Sequence, residues 1–180
     1  MGLDRGREIA VNARSLGLLC AALSLAGCGG KQPVKPTPAV PSALVTPVVL
    51  AQVHAAPDSV LAAGTGLRLS TYLWRDFMPV SPPDGEPLRA VLRVTTADSS
   101  AFPPDLRADA AWVLNGPSVW ATWVAETGPR LTGDSTLRLF AEGGPKWEPG
   151  VEVEVVVRVR DAVDRAWYLR AQRQVIYRTD

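Results

Sequence analysis

The side chains able to do covalent or metal chemistry are few. The 180-residue chain has two cysteines, Cys20 and Cys28, and one histidine, His54. A thiolate at Cys28 is the best nucleophile available for accepting a lipid. A histidine-based triad needs an oriented base in a folded body, and His54 sits near the end of a proline-rich stretch, so it is a poor candidate. A single histidine cannot complete the usual zinc sets. Glu152 and Glu154 could act as acid and base. They alternate with valines and are interleaved with Arg158 and Arg160, the pattern that cross-strand ion pairing on a solvated face needs. Asp161 and Asp164 could contribute to a calcium loop, but two carboxylates are few and aspartate is also a turn former. Gly64-Thr65-Gly66 lacks the following lysine of a phosphate loop. No catalytic residue, metal or cofactor is expected.

The aromatic residues are a different kind of candidate. All six tryptophans and all three tyrosines follow residue 49. Trp120 and Trp123 lie three apart on one extended segment, so they must point to opposite faces. With Trp123 in the core beside Val119 and Ala121, Trp120 is expected outside near Thr122. An exposed tryptophan anchors protein interfaces and is a stacking platform for sugars. Trp120 is therefore the candidate binding residue.

Strands must position these groups. "VEVEVVVRVRD" (151–161) puts Val151, Val153, Val155, Val157 and Val159 on one face, and Glu152, Glu154, Arg158 and Arg160 on the other. Such alternation predicts a half-buried strand of an antiparallel sheet. "LRAVLRVT" (88–95) repeats it, and segments 66–74, 106–114, 119–126, 136–142 and 166–178 complete the set. No segment has a sustained 3.6-residue apolar period. Turn formers separate the strands: Pro82-Pro83-Asp84-Gly85, Asn115-Gly116-Pro117, Gly143-Gly144-Pro145 and Pro149-Gly150 among them.

The N-terminus has a separate logic. Arg5, Arg7 and Arg14 precede the uncharged run Ser15–Ala26, which small residues end. These are the parts of a secretory signal peptide. The run is too short for a transmembrane helix, which needs about 20 apolar residues. The order Leu25-Ala26-Gly27-Cys28 resembles the lipobox of bacterial lipoproteins. The resemblance covers about the first 30 residues. It implies a signal peptide at residues 1–27, cleavage by signal peptidase II before Cys28, and acylation of Cys28. Gly29 in place of an aspartate implies the outer membrane rather than the inner one in a Gram-negative host. Cys20 would leave with the leader, so the mature chain could form no internal disulfide. Residues 28–48 hold the lipidated cysteine and five prolines. Neither helix nor strand is expected there, only a semi-rigid spacer.

Residues 49–180 then make one domain. Seven short strands with a turn signal at each gap predict an all-β, antiparallel β-sandwich, with a small open barrel as the alternative. The layout over residues 66–178 resembles immunoglobulin-like and fibronectin type III-like domains. Trp112 stands on the third strand, where antibody domains bury a tryptophan, and "WEPGVEV" (147–153) looks like the turn into the sixth strand of fibronectin type III domains. Paired cysteines are missing, and Val153 stands where a corner tyrosine is expected. Without residues 1–27 the chain has 16 basic and 16 acidic side chains. That balance argues against nucleic acid as a partner. The expectation is a lipid-anchored protein of the cell envelope that binds a protein partner or serves an assembly, and is not an enzyme. The alternative is a carbohydrate-binding module using exposed tryptophans.

Overall fold

The computed structural model describes residues 39–180. Cys28, the leader and most of the spacer lie outside the described residues. A 3-10 turn, Ser42–Leu44, leads into helix α1, Pro47–His54. Nine strands follow: β1 Ser59–Ala62, β2 Thr65–Asp76, β3 Leu88–Thr96, β4 Arg107–Asn115, β5 Ser118–Trp123, β6 Ala125–Glu126, β7 Thr136–Gly144, β8 Glu152–Arg160 and β9 Ala166–Thr179.

The expected all-β antiparallel immunoglobulin-like sandwich is replaced by a different arrangement. The strands form one mixed, nearly closed, barrel-like sheet in the order β5-β4-β8-β9-β2-β3-β7-β6, with β1 added beside β2. Two chain segments join its halves. The body of β9 pairs antiparallel with β8, and its last residues pair parallel with β2, Leu73 opposite Ile176 and Trp74 opposite Tyr177. On the other side, β5 pairs with β4 while β6, one residue further on, pairs with β7. At the handover the Val124 amide donates to the Asp109 carbonyl at 3.0 Å. Alternation reports which face a side chain takes, but not which strand lies alongside. Pairing between β2 and β9, at the two ends of the domain, leaves no local trace. The open-barrel alternative was the nearer one.

The bend in β9 has a visible cause. Val155 faces Ala171 while Val153 faces Gln174, so β9 carries one extra residue there. Arg173 takes φ +51° at that bulge. A bulge bends and twists its strand, here just before β9 changes partner.

The inward faces meet the alternation closely. Leu88, Ala90, Leu92 and Val94 of β3 and Val153, Val155, Val157 and Val159 of β8 are buried together with Leu67, Leu73, Leu139, Leu169 and Ile176. One charged group closes an end of this core. Arg75 is 1% exposed. Its Nε donates to the Glu86 carbonyl at 2.9 Å, and Nη1 donates to those of Lys146 and Trp147, each at 3.2 Å; Nη2 reaches the Asp84 carbonyl. One guanidinium thus ties the β2–β3 loop to the β7–β8 loop, and burial holds its pKa below the usual arginine value. Gly85 in the first loop has φ +73°, and a Cβ there would lie 2.7 Å from the Phe77 ring.

The outward face of β8 departs from expectation. Val156 is fully buried and Arg158 is 5% exposed: the segment of residues 41–56 packs over Val156, and Arg158 lies against the Trp112 and Trp123 rings. Leu44, Val53 and Ala56 pack with Trp112, Leu114, Ala121 and Val156 in a second apolar cluster on the outside of the barrel. Trp112 is buried, as its place on the third of the expected strands implied. Yet it lies in this outer cluster, not in the central core, and its Nε1–H donates to the Leu44 carbonyl at 2.8 Å. Helix α1 starts where a spacer was expected. Pro47 stands at its first position, where a missing N–H costs nothing. The Thr46 hydroxyl accepts from the Val49 amide. Two turns are too short to display a helical period.

Candidate functional site

The expected exposure of the two tryptophans on β5 is reversed. They do point to opposite faces, but Trp120 is the buried one, at 4% exposure, and Trp123 is 51% exposed. Trp120 sits opposite Val113, whose side chain belongs to the central core. A Cβ on Gly144 would lie 2.8 Å from the Trp120 ring, so the absence of a side chain at residue 144 makes room for the indole. Val119 and Ala121, taken as markers of the core face, instead pack in the outer cluster under the N-terminal segment. Trp120 is thus a core residue and loses its place as the binding candidate. Cys28 lies outside the described residues.

Three of the four carboxylate candidates, Glu154, Asp161 and Asp164, are engaged with neighbours. Asp161 shapes the β8–β9 turn: Oδ1 accepts from the amides of Val163 at 3.0 Å and Arg165 at 2.9 Å, and Oδ2 from Arg165 Nε at 2.6 Å. Burial pushes its pKa up, but the hydrogen bonds from Arg165 and Val163 outweigh this and hold it below the usual carboxylate range. Asp164 pairs with Arg107 at 2.7 Å and with Arg160 at 3.5 Å. Among the described residues no group of three histidine, cysteine, aspartate or glutamate side chains is placed to hold a metal ion. Glu154 pairs with Arg170 at 3.2 Å. His54 lines a cleft of about 280 Å³ with Leu114, Glu152, Glu154 and Arg173.

A different region gathers the residue types that make interfaces. Its geometry follows from the pairing of β2 with β3 and β9, and of β3 with β7. Tyr72 and Trp74, two apart on β2, both point outward on either side of buried Leu73. Directly opposite them on β3 stand Val91 and Arg89, and Phe140 of β7 faces Val91. Tyr177 of β9 completes the row. Tyr72 stacks on Trp74 with centroids 5.4 Å apart and on Tyr177 at 5.2 Å, and Trp74 meets Phe140 at 6.2 Å. Tyr72 is 40% exposed and Tyr177 50%.

Beside this aromatic row runs a basic one. Ser70, Arg93 and Arg138 occupy the adjacent row on β2, β3 and β7, with Arg93 directly opposite Arg138. Arg68 stands one row further, opposite Thr95. Among the described residues, Arg68, Arg89, Arg93 and Arg138 have no carboxylate within 4 Å. Arginines elsewhere contrast with them. Arg158 is held by both oxygens of Asp109 at 2.8 Å; burial lowers its pKa, but these bonds outweigh burial and raise it. Like charges directly opposite on neighbouring strands are destabilising, where an opposite pair would contribute about 0.2–1 kcal/mol. The outer face of β2, β3 and β7 is thus a stack of aromatic rings bordered by uncompensated guanidinium groups.

The spacing Tyr72-Leu73-Trp74 contained half of this, since alternation places both rings on one face. Tyr177 could not be added without the parallel pairing of β9 with β2. No protein-family model, curated protein or solved structure matches the chain.

Proposed function

We propose that this protein is a lipid-anchored accessory of the cell envelope that acts by binding another protein through the outer face of β2, β3 and β7. The observation that carries the reading is the partly exposed Tyr72–Trp74–Tyr177 stack beside four arginines without carboxylate partners among the described residues. Tyrosine, tryptophan and arginine dominate the energetics of protein interfaces, because each buries a large area and still offers a polar group. The anchor is the acylated Cys28 of the lipobox-like leader, in the outer membrane if the host is Gram-negative.

A sugar platform is the less supported use of these rings. Near-parallel rings 5.2 and 5.4 Å apart must overlap part of each other's faces. Tyr72, in the middle, therefore offers mainly its edge and hydroxyl, whereas sugar stacking uses an open ring face.

The binding test compares the full chain with its Tyr72→Ala, Tyr177→Ala double variant, each purified from mildly crosslinked membranes of the source organism. A protein recovered in fixed ratio with the parent chain and lost from the variant supports the reading. Equal recovery overturns it, as does binding to neutral polysaccharide that the variant loses instead. The anchor is tested by the mass of the mature N-terminus. A diacylglyceryl-modified Cys28 is expected; an unmodified terminus, or cleavage elsewhere, contradicts it.

A further inference from the structure

Resting on the protein-binding reading of this face, we infer that the partner presents an acidic patch, whose carboxylates pair with Arg93 and Arg138 while the aromatic row packs beside them. Three observations converge. Arg93 and Arg138 are directly opposed across β3 and β7, both exposed. Arg68 and Arg89 extend the positive charge along the same face, and none of the four has a carboxylate within 4 Å among the described residues. Elsewhere among the described residues most arginines are paired, Arg158 with Asp109 at 2.8 Å and Arg165 with Asp161 at 2.6 Å, though Arg75 and Arg173 are not. The charge on this face is therefore local, in a chain of formal net charge +1.

Guanidinium forks match carboxylates and phosphates with two parallel hydrogen bonds. The surroundings select between sources. Small anions and short glycans need a concave site. Arg138 borders a cleft with Glu126, Arg130 and Asp134, but at about 20 Å³ it is too small for such a ligand, and neither it nor the cleft at His54 is lined by Arg93, Tyr72, Trp74 or Tyr177. A sheet surface with aromatic rings beside arginines suits the surface of another protein, its acidic groups over the basic row and its apolar groups over the rings. Tyr72 lies next to that boundary, two residues from Ser70, which shares the row of Arg93 and Arg138.

The test places a photoreactive phenylalanine analogue at Tyr72 of the full-length chain, in cells of the source organism, and identifies the adduct by mass spectrometry. The expected adduct is a peptide of another protein with two or more carboxylates near the crosslink. Its yield should fall about tenfold with Arg138→Glu and recover when the mapped carboxylates are changed to lysine. Arg138→Glu should also raise the melting temperature by about 1–3 °C, because it replaces a like-charge pair by an opposite one, so a lost adduct cannot be put down to misfolding. A protein adduct indifferent to Arg138→Glu overturns the acidic partner but leaves the protein-binding reading. An adduct to glycan, to phospholipid or to a second copy of this chain, or no adduct at all, overturns both.

Discussion

The barrel has two outer faces built alike and finished differently. On β4, β5 and β8 the outward residues include Trp112, Leu114, Ala121 and Val156, which the chain covers with its own segment of residues 41–56, and Arg158 beside them. The cover is fastened at several points: the Trp112 indole to Leu44, the Arg170 guanidinium to the carbonyls of Val53 and His54, and the Arg170 amide to Pro57. On β2, β3 and β7 the outward residues are also large, Tyr72, Trp74, Val91 and Phe140, yet Tyr72 is left 40% exposed. The first face hydrogen-bonds its Trp112 indole to the cover and pairs Arg158 with Asp109, although Arg170 Nε stays buried without a hydrogen-bond partner. The second leaves arginines opposed and aromatic rings open. What covers the first face is part of the chain; what would cover the second is, in our reading, another molecule.

The sharpest way to break this comparison is to truncate one tryptophan on each face. Trp112→Ala removes a fully buried ring and an indole hydrogen bond, and should cost about 3–5 kcal/mol. Trp74→Ala removes a half-buried ring and its packing on Tyr72 and Phe140, and should cost about 1 kcal/mol. Urea midpoints of the two variants measure the difference. Equal losses would mean that both faces are structural.

The ion pair on the covered face comes next. Asp109→Ala leaves the Arg158 charge buried without its two hydrogen bonds, each 2.8 Å in the parent. A loss of about 2 kcal/mol is expected, typical of hydrogen bonds to charged groups. No loss in urea unfolding would mean that Arg158 swings out to water once its partner is gone.

A third test uses pH on the turn that joins β8 to β9. Hydrogen bonds from Arg165 and Val163, outweighing burial, depress the Asp161 pKa. The folded state therefore gains stability from this carboxylate above its ordinary pKa and loses it as pH falls through the depressed one. Asp161→Asn should be less stable than the parent at pH 7, and the gap should close in strongly acidic solution. A gap independent of pH would show that the side chain acts by shape alone.

The smallest effect belongs to the open face and has the opposite sign. Arg138→Glu should stabilise the isolated chain by about 0.2–1 kcal/mol. A destabilisation would mean that the two guanidinium groups have a compensating contact in the free protein.

How much of this was legible in the sequence differs between the faces as well. The inward residues of β3 and β8 followed from alternation, because burial on one side imposes a period of two. Trp120 was misplaced for a physical reason. Val119 and Ala121 are apolar because α1 and the 3-10 turn cover them, so both sides of β5 read as core, and alternation cannot choose between two buried sides. Val156, the exception in an otherwise alternating strand, was the signal of that second cluster. On the open face, Tyr72 and Trp74 were readable as a pair. Their union with Tyr177, Phe140, Arg93 and Arg138 needed the partners of β2, and the parallel pair of β2 with β9 joins residues about a hundred positions apart.

The docking role of the open face requires that it be covered in place. Hydroxyl-radical labelling of the full chain, in membranes of the source organism and after purification, reads this at single side chains. Tyr72, Trp74 and Tyr177 should be labelled in the purified chain and protected in membranes, while Trp123, 51% exposed on β5, should be labelled equally in both. Equal labelling of Tyr72 and Tyr177 in the two preparations, or protection of Trp123 in their stead, would contradict the assignment of the docking face.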